Sequence, residues 1–370
     1  MKGIAWVGSA PWVPRLREPW TLNQESLLTP SSLIPHSPAL LRHNGSALML
    51  FPPGPNSQNG NGHHAPAAEA KQEKKADWKF GHVLTVPNWS FGRSNMLLRQ
   101  IRDLLEDSQV TIHYCAADVD HNRTVTAFSG PWEEVESTLL AVSDLVLPAI
   151  DLNRHVGCHP RIGGLDVCPF IPLWPWKGLK EEREDLENKV ARFAEKLADT
   201  FELPVFLYED SARGKEKTLP KLRKGGFGGL LERELEPDFG PNTAHKYLGA
   251  SVVGLRPFLL AVNLNLAEPD TRVAETLAER IRVRRRDDPQ FAGIRSLGFR
   301  LNAANCSQLS MNFTKPDQTS IDPVIRWATE TADRAGVKAI GTELIGVIRE
   351  KDLAGAETLQ PKPEQVVLAP

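Results

Sequence analysis

One order of predicted strands and helices occurs twice in this chain. From residue 82 onward, strand-like apolar runs alternate with helical 3.6-residue periodicity, and each half reads strand, helix, strand, strand, helix, strand. That order is typical of the ferredoxin-like unit, in which two split βαβ motifs share one sheet. The sequence therefore predicts an α+β fold (an α/β sandwich) of two ferredoxin-like βαββαβ subdomains, each with a mixed sheet and helices on one face.

The domain boundaries follow from where this periodicity begins and ends. We expect a first subdomain with a connecting segment over residues 79–256 and a second subdomain over 257–348. Residues 1–78 are rich in Pro, Gly, Asn and charge and cannot bury enough apolar area to offset their ordering entropy, which predicts a disordered extension. Polar, proline-containing sequence predicts a flexible tail over 349–370. The crevice between the subdomains is the expected ligand site, and apolar sheet faces that stack would suit a homodimer.

Charge and cysteine usage argue against several kinds of partner. Lys and Arg number 44 against 46 Asp and Glu, a formal net charge of −2, so neither nucleic acid nor an anionic membrane is an expected partner. No apolar run reaches the roughly 20 residues that a membrane-spanning helix needs. The four cysteines show no zinc-ligand spacing, which indicates free thiols in a reducing compartment and no metal. We therefore expect a cytoplasmic protein.

A polar loop precedes one of the predicted buried strands, within the segment DLNRHVGCHPRIGGLDVCPFIP (151–172). Arg154, His155, His159 and Arg161 fall within eight residues that a glycine and a proline interrupt, so they lie on a loop and not on a helix. Histidine can exchange a proton near neutral pH, and arginine can hold a carboxylate by two parallel hydrogen bonds. This chemistry suits an acidic small molecule.

Four blocks of the sequence resemble, in the same order, those of the formimidoyltransferase family (glutamate formimidoyltransferase, or formiminotransferase). The blocks are VPNWSFGR (86–93), DVDHNRTV (118–125), RHVGCHPRIGGLDVCPFIP (154–172) and DFGPNTAHKYLGASVVGLRPFLLAVNLNL (238–266). The resemblance covers about residues 82–347 and does not include the cyclodeaminase domain of the bifunctional vertebrate enzyme. The third block is long and specific, which makes a chance similarity improbable.

The resemblance implies a reaction and a catalytic residue. The family moves a formimino group from N-formimino-L-glutamate to tetrahydrofolate, which gives 5-formiminotetrahydrofolate and glutamate, with tetrahydrofolate as co-substrate and no metal. One amine attacks an amidine carbon and another leaves, so the site must move a proton and hold two ligands in attack geometry. The family's catalytic histidine lies in the triplet HPR, which corresponds to His159. From the residues alone, His159 could equally be a structural loop histidine bonded to backbone.

Other residues are candidates for binding the substrate or folate, each with a structural alternative. The predicted binding residues are Asn88, His121, Asn122, Arg123, Arg154, His155, Arg161, Asp166, Gly240, Pro241 and Gly249. The arginines suit carboxylates, Arg161 above all, or form surface ion pairs of little consequence. His121 and Asn122 either bond the ligand or form a turn that opens a strand. Asp166 either orients a loop side chain or caps the turn.

The glycines and two departures from the family pattern leave further alternatives open. The glycines of block four, Gly240 and Gly249, allow backbone to approach a flat ring, although a turn would also require them. Phe91 and Cys158 stand where the family has acids, and fewer carboxylates would weaken control of a histidine pKa. The alternatives are a folate-binding or interaction protein with reduced or lost transfer, and a thiol amidinohydrolase that uses Cys158 beside His159.

Overall fold

The computed structural model describes residues 80–176, 179–214 and 218–370, all within one compact unit that spans residues 73–370. The predicted disordered extension over 1–78 lies outside the described residues. No helix in the described ranges is both long and apolar enough to cross a membrane.

The first subdomain contains seven strands and five helices, and the second contains the remaining elements. The strands of the first are β1 (His82–Thr85), β2 (Asn88–Trp89), β3 (Thr111–Asp118), β4 (Arg123–Pro131), β5 (Leu165–Pro172), β6 (Val205–Leu207) and β7 (Ser251–Leu255). Its helices are α1 (Asn95–Glu106), α2 (Trp132–Val146), α3 (Lys180–Phe201), α4 (Leu219–Leu222) and α5 (Gly226–Leu231). The second has β8 (Leu260–Leu266), α6 (Arg272–Arg284), β9 (Ile294–Leu301), β10 (Cys306–Phe313), α7 (Ile321–Arg334), β11 (Ala339–Ile345), β12 (Ile348–Arg349) and β13 (Val366–Val367).

The sheets confirm the predicted repeat. Strands β5, β1, β4 and β3 lie in that order and pair antiparallel, and β11, β8, β10 and β9 repeat the arrangement in the second sheet. The expected mixed sheet occurs in the first subdomain, because β7 and β6 extend it beyond β5 in parallel. The second sheet differs from expectation: it is antiparallel throughout, since no strand joins it in parallel.

Side-chain alternation gives each strand of the first sheet two different environments. Val83, Phe128 and Phe170 pack on one face with α1, α2 and α3. Short helices α4 and α5 pack against the other face, so the helices of this subdomain are not confined to one side as predicted. The residues Leu84 and Ile171, also on the second face, join the core of the second subdomain. Successive strand residues point to opposite faces, so the two sheets meet through every second residue.

Residues 349–370 correct the prediction of a flexible tail. This segment contains β13, which pairs with β12, and its apolar residues join the second core. The Arg349 side chain is only 1% exposed; it donates two hydrogen bonds to Asp352 at 2.6 and 2.8 Å and one to the Pro370 carbonyl oxygen at 2.6 Å. Asp317 lies 3.0 Å from the same guanidinium. The polar composition suggested disorder because these partners meet only in the folded chain.

We expect Arg349→Met to destabilise the protein by roughly 3–5 kcal/mol, because it leaves carboxylates without their buried cation. Urea unfolding of the purified variant measures this change. The matched control is Arg334→Met, whose ion pair with Glu330 is exposed on both sides and contributes at most about 1 kcal/mol. Equal stability of the two variants would show that the Arg349 network does not hold the segment in place.

Candidate active site

A cavity of about 810 Å³ lies between the two sheets. Its walls are formed by Val86, which lies between β1 and β2, and by alternate strand residues: Asn88, Arg123, Val125 and Val167 from the first sheet, and Ala261, Asn263, Ser310 and Asn312 from the second. His159 reaches the cavity from the polar loop. The volume is within the range of pockets that enclose a small organic ligand, so the expected crevice site exists and contains the predicted base.

His159 has the protonation state that a base requires. Its Nδ1 donates to the carbonyl oxygen of Pro160 at 2.8 Å, so the Nε2 atom of the neutral ring is the acceptor. Burial, followed by the guanidinium groups of Arg123 and Arg223, holds the pKa of His159 well below its usual range. The ring is therefore neutral at pH 7 and able to accept a proton.

A second histidine and an aromatic residue from the other subdomain surround His159. The His121 ring lies 6.0 Å from the His159 ring, and its Nδ1 is 3.0 Å from a carboxylate oxygen of Asp118. Phe299 of β9 packs against both, at 5.5 Å from His121 and 5.7 Å from His159. Residues from both subdomains therefore surround the His159 ring.

The polar atoms of Asn122, in the turn before β4, are hydrogen-bonded to other residues of the protein. Asn122 has a φ of 45°, in the left-handed region that few non-glycine residues adopt. Its Oδ1 accepts a hydrogen bond from Gly92 N at 2.8 Å, and its carbonyl oxygen accepts one from His155 Nε2, also at 2.8 Å. Burial lowers the pKa of His155. These contacts favour the turn role for Asn122. Ligand binding by Asn122 and by His155 stays a prediction.

Arg161 holds the polar loop together. Its guanidinium donates to the carbonyl oxygens of His159 at 2.6 Å and His121 at 2.9 Å, and it contacts the His155 ring. The loop fits closely here, because a Cβ on Gly157 would lie 2.2 Å from the His121 carbonyl oxygen. The donors that were expected to bind a substrate carboxylate are directed at backbone, so the contacts assign Arg161 a positioning role.

Asp166 caps the turn, one of its two expected roles, and its other oxygen pairs with Arg223 beyond α4 in place of a loop side chain. Its Oδ1 accepts from the backbone N–H of Ile162 at 2.7 Å and of Gly163 at 3.3 Å, which caps the end of the loop. Its Oδ2 is bonded to the guanidinium of Arg223. One buried carboxylate therefore fixes both the loop that carries the base and an arginine of the cavity wall.

Of the eleven predicted binding residues, Asn88 and Arg123 line the cavity and the other nine do not. Four of those nine, in addition to the residues of the loop and turn described above, lie apart from the site. The Arg154 side chain is 89% exposed, with Asp151 3.6 Å away. A Cβ on Gly249 would lie 1.9 Å from the carbonyl oxygen of Ile162, and one on Gly240 would lie 2.1 Å from that of Leu203. Pro241 is exposed. These glycines have positive φ and let backbone pack on backbone, so the structure favours the turn alternative for both.

Sequence reasoning missed two arginines of the cavity. Arg223 directly follows α4, in a segment expected only to connect the subdomains, and Arg256 is buried at the end of β7 beside Tyr208. The cavity is lined by the cations Arg123, Arg223, Arg256, Arg295, Lys315 and Arg349 and by the acids Glu209 and Asp317. The excess of positive charge favours an anionic ligand.

The two departures from the family pattern have different environments. Phe91 is buried in the first core, so its side chain belongs to the packing of the subdomain. Cys158 is half-buried, and burial together with the nearby carboxylates of Asp118 and Asp120 raises its pKa to about 11. A thiol with that pKa is protonated at neutral pH and is a poor nucleophile, which argues against a thiol amidinohydrolase.

Known proteins resemble the chain over both subdomains. The model of the formiminotransferase domain, N-terminal subdomain, matches residues 82–256, and the model of the formiminotransferase domain matches residues 261–367. Formimidoyltransferase-cyclodeaminase of Sus scrofa is 32% identical over 77% of this chain and 53% of that protein. Glutamate formimidoyltransferases of Streptococcus pyogenes and Thermoplasma acidophilum are 31% and 30% identical over 73% of this chain and 90% and 89% of those proteins.

The class of protein follows from the two subdomains and the two family models, which together match more than half of the chain and indicate a transferase. The chain belongs to the formiminotransferase family. It spans about half the length of the bifunctional relatives from vertebrates and most of the length of the bacterial and archaeal relatives. The family that the sequence blocks predicted is confirmed.

Cys158 should react slowly with iodoacetamide at pH 7.5. Its pKa of about 11, against a usual value near 8.5, lowers the thiolate fraction by more than about 100-fold. Peptide-resolved mass spectrometry of time-quenched samples measures the rate, with the same peptide from urea-unfolded protein as control. Alkylation at equal rates in the folded and unfolded protein would contradict the protected thiol.

Proposed function

We propose that this protein is a glutamate formimidoyltransferase that moves the formimino group between N-formimino-L-glutamate and tetrahydrofolate. The observation that carries the proposal is His159, a neutral imidazole whose Nε2 is the acceptor, in a cavity with more cationic than acidic side chains. Two relatives that align over most of their own length carry the name glutamate formimidoyltransferase.

The reaction requires one proton to travel between two nitrogens. N5 of the folate attacks the amidine carbon, a new C–N bond forms, and N5 loses a proton. The bond from that carbon to the glutamate nitrogen then breaks, and the departing nitrogen takes a proton. His159 Nε2 can accept the first proton and return it as the second, while the Pro160 carbonyl holds the ring through Nδ1–H.

The low basicity of His159 assists the second half of this sequence. Because burial disfavours the imidazolium, a proton taken from N5 is readily passed to the departing nitrogen. Asp166 and Arg161 keep the loop in one conformation, so the imidazole does not have to be ordered during the reaction.

The proposal includes tetrahydrofolate as co-substrate and glutamate as the other product. It also includes a cytoplasmic location, supported by cysteines that are all free. The homodimer stays a prediction with a weaker basis, because both faces of the first sheet pack against other elements of the same chain.

A second candidate function is a binding protein that retains the pocket and not the transfer. The observation in its favour is the absence of a carboxylate at positions 91 and 158. Ultraviolet difference spectra with tetrahydrofolate, recorded with and without formiminoglutamate, separate the two functions. A spectral change that needs the donor indicates transfer, and one that does not indicates binding alone.

His159→Ala should lower the transfer rate by a factor on the order of 10² to 10⁴, the usual contribution of a positioned proton-transfer group. Folate affinity should change little, since the imidazole acts mainly in the transition state. Stopped-flow absorbance of 5-formiminotetrahydrofolate formation and fluorescence titration of folate measure the two quantities.

His155→Ala is the matched control for that experiment, because His155 contacts the loop from the side of Arg161 and Asn122. His155→Ala should lower kcat by a smaller factor than His159→Ala. A larger loss of kcat in His155→Ala would show that the base has been assigned to the wrong histidine.

A further inference from the structure

Two arginines of the cavity wall lack enough protein partners for their charge. The Nε atoms of Arg123 and Arg223 are buried and, among the residues that the structure describes, have no hydrogen-bond partner. Arg223 has one bonded carboxylate, Asp166, and its side chain is only 18% exposed. Burial lowers the pKa of Arg123. Buried guanidinium groups with unfilled donors are costly unless an anion completes them.

The nearby acids cannot supply that anion. One oxygen of Asp166 already accepts from two backbone N–H groups of the loop, and only the other reaches Arg223. Asp118 is bound to His121 through both of its carboxylate oxygens. The region around Arg123 and Arg223 therefore keeps a positive charge that a ligand can neutralise.

These same arginines line one cavity with His159. The charged or titratable groups that act on the His159 imidazole are Arg123 from the start of β4, Arg223 beyond α4, His121 from the turn, and Arg161 from the loop. Each of them, when positive, opposes protonation of the ring. Arg161 donates to backbone carbonyls, so Arg123 and Arg223 are the two whose charge a ligand can offset.

We propose that Arg123 and Arg223 form a clamp for one carboxylate of the formimino donor, and that filling this clamp makes His159 a stronger base. The identity of the donor rests on the proposed function. In the empty site burial and, after it, the two cations hold the pKa of the imidazole well below its usual range. A carboxylate between them cancels most of their field at the ring, which then accepts the N5 proton more readily. Asp166 is the positioning residue that sets Arg223 and the loop at a fixed spacing.

The clamp also sets substrate selectivity. A donor that lacks the carboxylate leaves both guanidinium groups unfilled and leaves the base weak, so it loses binding and proton transfer together. This coupling can be measured from how the rate falls at low pH, where His159 becomes protonated. The pH dependence of kcat describes the enzyme with donor bound, and that of kcat/KM describes the free enzyme. The fall in kcat should therefore occur at higher pH than the fall in kcat/KM.

The test measures the His159 pKa directly, by NMR of the imidazole in full-length protein labelled at histidine. L-Glutamate is the probe, because it carries the donor's carboxylates without the reactive group, and glutaramide is the uncharged control. Saturating glutamate should raise the pKa of His159 by about 1 or more, the effect of an anion within roughly 4–6 Å. Glutaramide should leave it unchanged.

Substitutions of the two arginines test whether they cause the glutamate-dependent rise in the His159 pKa. Arg223→Gln should weaken glutamate binding at least about tenfold and remove the glutamate-dependent rise in pKa, whereas Arg223→Lys, which keeps the charge, should retain part of it. Arg123→Gln should behave like Arg223→Gln. The matched control is Arg334→Gln, an exposed arginine paired with Glu330, which should behave as wild type.

Three outcomes would overturn the clamp: no glutamate binding to wild type, glutamate binding without a change in the His159 pKa, or wild-type glutamate affinity in a folded Arg223→Gln. The glutamate-dependent rise in a wild type that forms no 5-formiminotetrahydrofolate would support the clamp and overturn the proposed function. The two claims therefore fail separately.

Discussion

The way in which the two sheets meet determines where a site can exist. Along β4, and from β1 to β2, the side chains that face the second sheet change from apolar to polar. At one end, Leu84, Ala127 and Ile171 enter the core of the second subdomain and fix the sheets together. At the other end, Asn88 and Arg123 occupy the same face, and the gap stays open as the cavity. Apolar burial stabilises the first end, while charged side chains keep the second available to a ligand.

The site has more cationic than acidic side chains in its walls. The polar groups of the loop that carries His159 are hydrogen-bonded within the protein. Asp166 caps the loop, Arg161 donates to its carbonyl oxygens, and the Pro160 carbonyl oxygen orients the His159 ring. The cations of the wall have fewer hydrogen-bond partners, and after burial they are the main cause that lowers the pKa of the imidazole. Of the two positions where the family pattern has acids, position 91 carries a phenylalanine that packs in the first core.

Features with a local sequence signal were predictable, and those that depend on distant partners were not. The repeated strand and helix order gave the two subdomains because periodicity records which face is buried. Arg223 could not be found in this way, because its carboxylate partner is 57 residues away in the chain. The segment 349–370 read as polar, but the buried contacts of Arg349, the pairing of β12 with β13 and apolar residues in the second core order it. Gly249 was noticed correctly as constrained, and the constraint that the structure shows is the neighbouring carbonyl oxygen of Ile162.

The central claim is that the formimino group is transferred from N-formimino-L-glutamate to tetrahydrofolate in this cavity. Donor labelled with ¹³C at the formimino carbon, mixed with tetrahydrofolate and a catalytic amount of enzyme, tests it by NMR. The account predicts that the ¹³C signal moves to the folate N5 adduct while one glutamate is released for each label transferred. A signal that stays on glutamate, in the presence of enzyme shown to bind tetrahydrofolate, would contradict the account.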